Sequence, residues 1–552
     1  MLVPSTPSLL QALQDSCACG LLILHILLTH YTLLTSISEL CKQAGVHKPL
    51  LLKEMASKES AGYKCRIALV LFLLLGSIAA LITVAVIQDK LSFISYNTEY
   101  GIVIDSGSSR STIYLYQWPG EKQNETGMVK ELMNCRVAGD GISEMGVDPE
   151  KDAASWKSFR ACIANITKKI PEEKRKKTPL FLGATAGMRL LEESNKTRGL
   201  KVMADLREYL SGLPFNFQNA SIMSGQEEGL YGWITVNYIM ENFFEKNLWN
   251  KYVRPEGGET VGSMDLGGAS TQIAFAVEQN LTGEDYLRVK LYGYTYTVYT
   301  HSFLCYGKNE AEKKVLDKIV QRASNPDLIL NPCYAIGLNA TLKASQIYDT
   351  TCTKMPSKYT QDQNFSMVGT GNSEECKQFV KMIFDFDTCD ADHCSFNGVE
   401  QPPVVGKFMA YAGLFFTARA MGAYATLDQF RNSTDTFCHT PWAQLKKEKT
   451  RISDKYLKTY CTAGHYSNFL LTEGYKFDET TWSNIRFEKE IKNTSVGWSL
   501  GYMLSLSNMI PSDVTENFPL TDPLFAGLIF LFSALTIITL VIVFIFCVRT
   551  CY

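Results

Sequence analysis

Two segments of the chain repeat one short pattern: IDSGSSRSTI at residues 104–113 can be laid over MDLGGASTQI at residues 264–273. In each, an apolar strand ends on an aspartate, Asp105 or Asp265. A turn of glycine and small residues follows, then a second apolar strand. Such a unit suits phosphates, because glycine and serine let backbone N–H groups converge on phosphate oxygens. The aspartate can hold a hydrated divalent cation beside them. Alone, a D-x-G-S-S segment is more often an ordinary hairpin turn. Two copies facing each other across a cleft clamp an oligophosphate from both sides.

Two further segments lie between the copies. GATAGMR at residues 183–189 follows the apolar run PLFL, so it reads as strand, tight turn and helix start. Helix-terminal N–H groups and the Thr185 hydroxyl suit a phosphate or a water; a glycine-spaced packing turn is the plainer reading. In SGQEEGLYGW, residues 224–233, paired carboxylates sit between Gly225 and Gly229, each of which weakens a helix by about 1 kcal/mol. A carboxylate held there in a cleft can accept a proton from an attacking water. A solvated acidic turn is the alternative.

Strand-like and helix-like segments alternate around these motifs, as in α/β folds. With 552 residues, two or more lobes are expected, and no low-complexity linker separates them, so they pack closely on short hinges. The chain is 46% hydrophobic and 20% charged with net charge −2, so no basic excess points to nucleic acid or an anionic membrane surface. A GxxxxGK[ST] loop is absent, which argues against the other common NTPase class.

Two charge-free apolar runs, residues 67–87 and 524–548, each match the roughly 20 helical residues that span a bilayer; a buried core helix is the plainer alternative for each. Lys58, Lys64 and Arg66 precede the first and Arg549 follows the second, which places both termini in the cytoplasm. All nine N-x-S/T sequons fall between the spans, at Asn124, Asn165, Asn195, Asn219, Asn280, Asn339, Asn364, Asn432 and Asn493. That segregation predicts an extracellular middle. Ten of the sixteen cysteines lie there too, an even number that reads as five disulfides in an oxidising compartment; zinc binding is the alternative, without a C-x-x-C or HExxH motif to support it. Residues 16–37 read as a signal-like segment, a third span or a weakly structured extension, and Met55 is a plausible alternative start.

Taken together, DSGSSRST (105–112), GATAGMR (183–189), GQEEGLYGW (225–233), DLGGASTQ (265–272) and GWSLGYML (497–504) resemble, in order, the conserved regions of the ecto-nucleoside triphosphate diphosphohydrolases, or ecto-apyrases. YTHSFLCYGKNEAEKK and FEKEIKNTSVGWSLGYMLSLSN are most similar to that family's third cell-surface paralogue. The resemblance implies an α/β ectodomain of two RNase H-like lobes, the actin/Hsp70/sugar-kinase superfold, between two transmembrane helices. The boundaries it suggests are a cytoplasmic extension at 1–66, a span at 67–87, lobe I at 96–222, lobe II at 223–484, a return to lobe I at 485–515 and a second span at 524–548.

It also implies roles. Glu228 is the catalytic base, with Thr185, Ser270 and Gln272 positioning the water. Ser106, Gly107, Ser108, Ser109, Gly267, Gly268 and Ala269 bind phosphates. Asp105 and Asp265 hold Ca²⁺ or Mg²⁺ mainly through water. Phe415 and Tyr466 sandwich the base. The disulfides are Cys135–Cys162, Cys305–Cys352, Cys333–Cys376, Cys389–Cys394 and Cys438–Cys461. The implied activity is hydrolysis of extracellular nucleoside tri- and diphosphates (ATP, ADP, UTP, UDP) to the monophosphate by in-line attack of water at the plasma membrane, controlling purinergic signalling. A homo-oligomer through the transmembrane helices is a further expectation. A catalytically inactive nucleotide-binding or adhesion receptor is the non-enzyme alternative.

Overall fold

The computed structural model describes residues 56–94, 98–120, 122–123, 126–139, 141–143, 154–247, 252–255, 258–278, 281–508 and 520–551. Sequons Asn124 and Asn280, the readings made of residues 1–55, and residues 509–515 of the expected return segment lie outside them. The chain divides into two units, residues 1–95 with 515–552, and residues 96–514.

In the first unit, the helices Ala56–Ile94 and Asp522–Cys551 contain the apolar stretches Arg66–Gln88 and Pro523–Arg549, of mean hydropathy 2.9 and 3.0. Only 11% and 6% of these stretches is buried, which a core helix of a soluble domain could not sustain. The two helices pack on each other, and Thr536 Oγ1 lies 2.9 Å from Ser77 Oγ, linking two hydroxyls that each also bond a carbonyl of their own helix, Phe532 O and Leu74 O.

The second unit is built on two large sheets, of five and six strands, with smaller ones beside them. The first runs β3-β2-β1-β4-β5, from β1 (Thr98–Ser106), β2 (Ser111–Pro119), β3 (Lys130–Arg136), β4 (Pro179–Ala184) and β5 (Asn216–Ile222). The second runs β8-β9-β7-β6-β10-β11, from β6 (Gly262–Leu266), β7 (Ser270–Val277), β8 (Tyr286–Leu291), β9 (Tyr294–Leu304), β10 (Phe408–Ala412) and β11 (Ile485–Phe487). Ile102, Val103 and Ile104 on β1 are fully buried, as a near-continuous apolar run flanked on both faces requires.

The repeat read from two hairpins extends through both sheets. β1 pairs antiparallel with β2 and parallel with β4; β6 pairs antiparallel with β7 and parallel with β10. In register, Asp105 faces Thr112 and Gly183, and Asp265 faces Gln272 and Tyr411. The helices around the site are α1 (Ala186–Ser194), α2 (Gly225–Ile239), α3 (Lys308–Arg322), α4 (Gly413–Met421), α5 (Tyr460–Phe469) and α6 (Trp498–Ser507).

One expected boundary moves. Residues 485–487 do not begin a return to the first lobe; they form the outer strand of the second sheet, where Phe408–Ala410 offers a free parallel edge. The return is made by α6, which packs against α2 and β1, with Gly501 N–H donating to Thr235 Oγ1 at 2.8 Å.

Five disulfides join Cys135–Cys162, Cys305–Cys352, Cys333–Cys376, Cys389–Cys394 and Cys438–Cys461. Cys376, Cys461 and His465 form the one cluster of metal-ligating side chains that converges to within 4.8 Å among the described residues, but both thiols there are spent in disulfides. The described sequon asparagines, Asn165, Asn195, Asn219, Asn339, Asn364, Asn432 and Asn493, are all exposed.

Candidate functional site

The turns of the two aspartate hairpins face each other. A methyl placed on Gly268 would lie 2.6 Å from Ser108 Oγ and 3.6 Å from Ser109 Oγ, so only glycine permits the approach. Each turn closes in the same way, Gly107 N–H donating to Arg110 O at 2.9 Å and Gly267 N–H to Ser270 O at 3.0 Å. Ser106 Oγ and Ser111 Oγ lie 3.3 Å apart across the base of the first turn. Asp105 and Asp265 are half-buried, each at the end of its strand.

Glu227 and Glu228 fall in the first turn of α2, an ordinary helix rather than an acidic turn. Glu227 completes a capping box: its Oε2 accepts from Ser224 N–H at 3.0 Å, and Ser224 Oγ accepts from Glu227 N–H at 3.2 Å. It is exposed, whereas Glu228, rotated by roughly 100° around the helix, is buried. Glu228 Oε2 accepts from Arg189 Nη2 at 2.9 Å and from Gln272 Nε2 at 3.2 Å. Gln272 Nε2 also reaches Ser270 Oγ at 2.7 Å and Ser302 Oγ at 2.9 Å. The glutamate on α2 is thus tied to β7, β9 and α1. Thr185 begins α1, and its N–H donates to Ser106 O at 3.1 Å, which fixes GATAGMR beside the first hairpin.

Three carboxylates therefore share one enclosed space. Burial, then the charge of Glu228, pushes the Asp105 carboxyl up to about 7, against the pull of Arg110 and a hydrogen bond from Trp498. Asp265 is pushed up to about 8 by burial, then by Glu228 and Asp105, with Arg110 opposing. Burial raises Glu228 as well, and Arg189 opposes it through charge and hydrogen bonding. Mutual repulsion of this kind in a phosphate-sized cleft is the chemistry of a site that takes a hard divalent cation.

Arg189, Trp498 and Ser302 are functional neighbours that sequence reasoning left without roles. Trp498 Nε1–H donates to Asp105 Oδ1 at 3.0 Å. Its ring takes the space a side chain at position 183 would need, since a methyl on Gly183 would lie 2.4 Å from it. Arg189 and Trp498 lie inside GATAGMR and GWSLGYML, and polar side chains in otherwise apolar or glycine-rich motifs were the available signal.

The two expected base-stacking rings differ in setting. Phe415 is half-buried on α4 and meets Phe416 edge-on at 5.3 Å. Tyr466 on α5 is only 1% exposed; its ring stacks on Phe384 at 5.4 Å and its hydroxyl donates to Tyr306 O. Beside it lies a cavity of about 10 Å³ lined by Lys308, Glu312 and Thr462, room for one water rather than a base. Tyr466 is a core residue here, enclosed by its packing on Phe384 and its bond to Tyr306.

Residues 92–520 match the family model described as GDA1/CD39 (nucleoside phosphatase) family. Mouse ectonucleoside triphosphate diphosphohydrolase 3 is 44% identical over 487 residues, covering 86% of this chain and 91% of its own. The rat ectonucleoside triphosphate diphosphohydrolase 1 is 39% identical over 474 residues, covering 84% and 91%. Among solved structures, a nucleoside triphosphate hydrolase from Neospora caninum matches with a TM-score of 0.53 at 15% identity, over 80% of this chain and 98% of that one, a likeness of fold. With a family model spanning most of its length and relatives matched nearly end to end, the chain belongs to the GDA1/CD39 nucleoside phosphatase family.

Proposed function

We propose that this chain is a cell-surface hydrolase that removes terminal phosphates from extracellular nucleoside tri- and diphosphates. The observation that carries the reading is Glu228, a buried carboxylate hydrogen-bonded to Arg189 and Gln272 beside two opposed aspartate hairpins. The printed names of the relatives support the substrate class.

Ser106 to Ser109 and Gly267 to Ala269 grip the phosphate oxygens with backbone N–H groups and hydroxyls. Ser270, Gln272 and Thr185 position a water in line with the terminal phosphorus, and Glu228 accepts its proton. No covalent intermediate on the protein is required. Asp105 and Asp265 would hold Ca²⁺ or Mg²⁺ mainly through water, and such an ion would supply neutralisation of the charge on the oligophosphate. Phe415 and Tyr466 stack the base once the cavity beside Tyr466 widens, with little discrimination among bases.

The two apolar helices anchor the protein in the plasma membrane, with both termini cytoplasmic and the catalytic unit outside. The exposed sequons and the five disulfides support that orientation. Nothing favours an inactive receptor, since Asp105, Asp265 and Glu228 are all present and oriented. Intact cells expressing the chain should release phosphate from added ATP and ADP, excess chelator should abolish the activity, and added Ca²⁺ or Mg²⁺ should restore it. Hydrolysis confined to permeabilised cells would reverse the orientation. Full turnover in chelator would remove the metal from the reaction.

A further inference from the structure

Arg189 is a buried guanidinium at the centre of the site, yet the chemistry above assigns it no task. Its side chain is 15% exposed, and its head bridges three elements. Nη1 donates to Met223 O at 3.1 Å, just before α2; Nη2 donates to Glu228 Oε2 at 2.9 Å and to Ser270 Oγ at 3.2 Å. Gln272 Nε2 donates to the same Glu228 oxygen. Both donors therefore act on Oε2, and among the described residues no hydrogen-bond donor reaches Oε1.

We propose that Arg189 is a positioning residue: by pinning Oε2 it presents Oε1 of Glu228 to the attacking water and locks the base on α2 to the second hairpin through Ser270. The inference rests on Glu228 being the general base. Asp105 and Asp265 feel the charge of Glu228 across the site. A glutamate side chain has three rotatable bonds, so repulsion alone leaves several orientations open. A planar guanidinium reaching three acceptors at once selects one of them, and lysine, a point charge on a flexible stem, cannot reproduce that fork. Nη1 and Nη2 are thereby committed to protein acceptors, while Arg189 Nε is buried without a hydrogen-bond partner among the described residues.

The test uses the full-length membrane protein, with phosphate release measured against ATP concentration at saturating divalent cation. Arg189→Ala should lower kcat by about 10- to 100-fold with KM changed by less than roughly threefold, because the loss is of alignment rather than of binding. Arg189→Lys should be nearly as impaired. Guanidinium chloride should restore part of the activity of Arg189→Ala and none of that of Arg189→Lys. In a Glu228→Gln background, adding Arg189→Ala should cost less than roughly threefold more, since both changes remove the same function.

A raised KM with normal kcat would make Arg189 a phosphate ligand and overturn the proposal, as would multiplicative losses in the double variant. If Arg189→Ala does not reach the surface, Arg189→Lys decides, and a normal kcat in that variant contradicts the proposal. An active Glu228→Gln variant would undo the base assignment itself. An inactive Glu228→Gln beside a fully active Arg189→Ala sinks only the role given to Arg189.

Discussion

The two aspartate hairpins share one register and differ in what occupies it. Where the second copy has Ser270 and Gln272, the first has Arg110 and Thr112. Ser270 and Gln272 are buried and tied to Glu228, whereas Arg110 is exposed and acts on both aspartates through its charge. Their supports differ too. The carbonyls of Gly267 and Gly268 accept from the first N–H groups of α3 at 2.8 and 2.9 Å, and Ala269 O accepts from Cys305, itself bonded to Cys352. The first turn is held differently: Ser106 O accepts from Thr185 N–H at 3.1 Å, and its aspartate accepts from an indole of α6, almost four hundred residues along the chain. A duplicated grip has been divided, one copy given to charge and the other to the base and its water.

That division can be broken at both ends. Removing either aspartate's charge should do most damage, since each completes the metal site: Asp105→Asn and Asp265→Asn should each lower kcat/KM by more than about 100-fold, measured as phosphate release at fixed divalent cation. A variant that keeps most of its activity would detach that hairpin from the metal.

Exchanging the copies should sharpen the asymmetry. Gln272→Thr, which gives the second hairpin the residue of the first, should cost about 10- to 100-fold in kcat by freeing one side of Glu228. Thr112→Gln should be far milder, because the Thr112 side chain bonds to Tyr114 rather than to Glu228. Equal effects would mean that the copies are functionally interchangeable.

Trp498→Phe removes one hydrogen bond to a carboxylate, worth about 1.5–3 kcal/mol, together with the distal indole atoms that fill the space at Gly183. Activity should fall by roughly 10-fold or somewhat more, and raised metal concentration should recover part of the loss. An unchanged metal dependence would make Trp498 a packing residue only.

The smallest effect on turnover should come from Gly229→Ala, whose methyl would lie 2.3 Å from Thr300 Oγ1. Helix propensity favours the change by about 1 kcal/mol, but overpacking costs about 1–3 kcal/mol, so thermal unfolding should move to lower temperature. An increase in Tm would show that β9 yields there.

The same glycine shows how far the sequence carries. Gly225 and Gly229 are visible as helix-weakening positions around two glutamates, but the reason for them is the close approach of β9, a strand some seventy residues further on. The repeat was legible because it is local and periodic, and it extended in space to whole sheets. The outer strand at residues 485–487 was not, because three residues carry no period and pair only through an edge that tertiary structure creates. Glu228 was singled out by resemblance; its separation from Glu227 by capping and burial is a property of the helix. Arg189, Trp498 and Ser302 act across long separations, which neither spacing nor composition records. Tyr466 illustrates the converse, an aromatic whose motif suggests a ligand face and whose surroundings enclose it.

The account turns on the two neighbouring glutamates. Glu227 is spent on capping α2, and Glu228 alone faces the hairpins. Steady-state phosphate release by Glu228→Gln and Glu227→Gln, with nucleotide affinity measured in parallel, tests this most directly. Glu228→Gln should lose about 10²- to 10⁴-fold in kcat while nucleotide affinity persists. Glu227→Gln should lose little activity and lower stability by about 1 kcal/mol through the weakened cap. A dead Glu227→Gln, or a Glu228→Gln that retains most of its turnover, would contradict the assignment of the base.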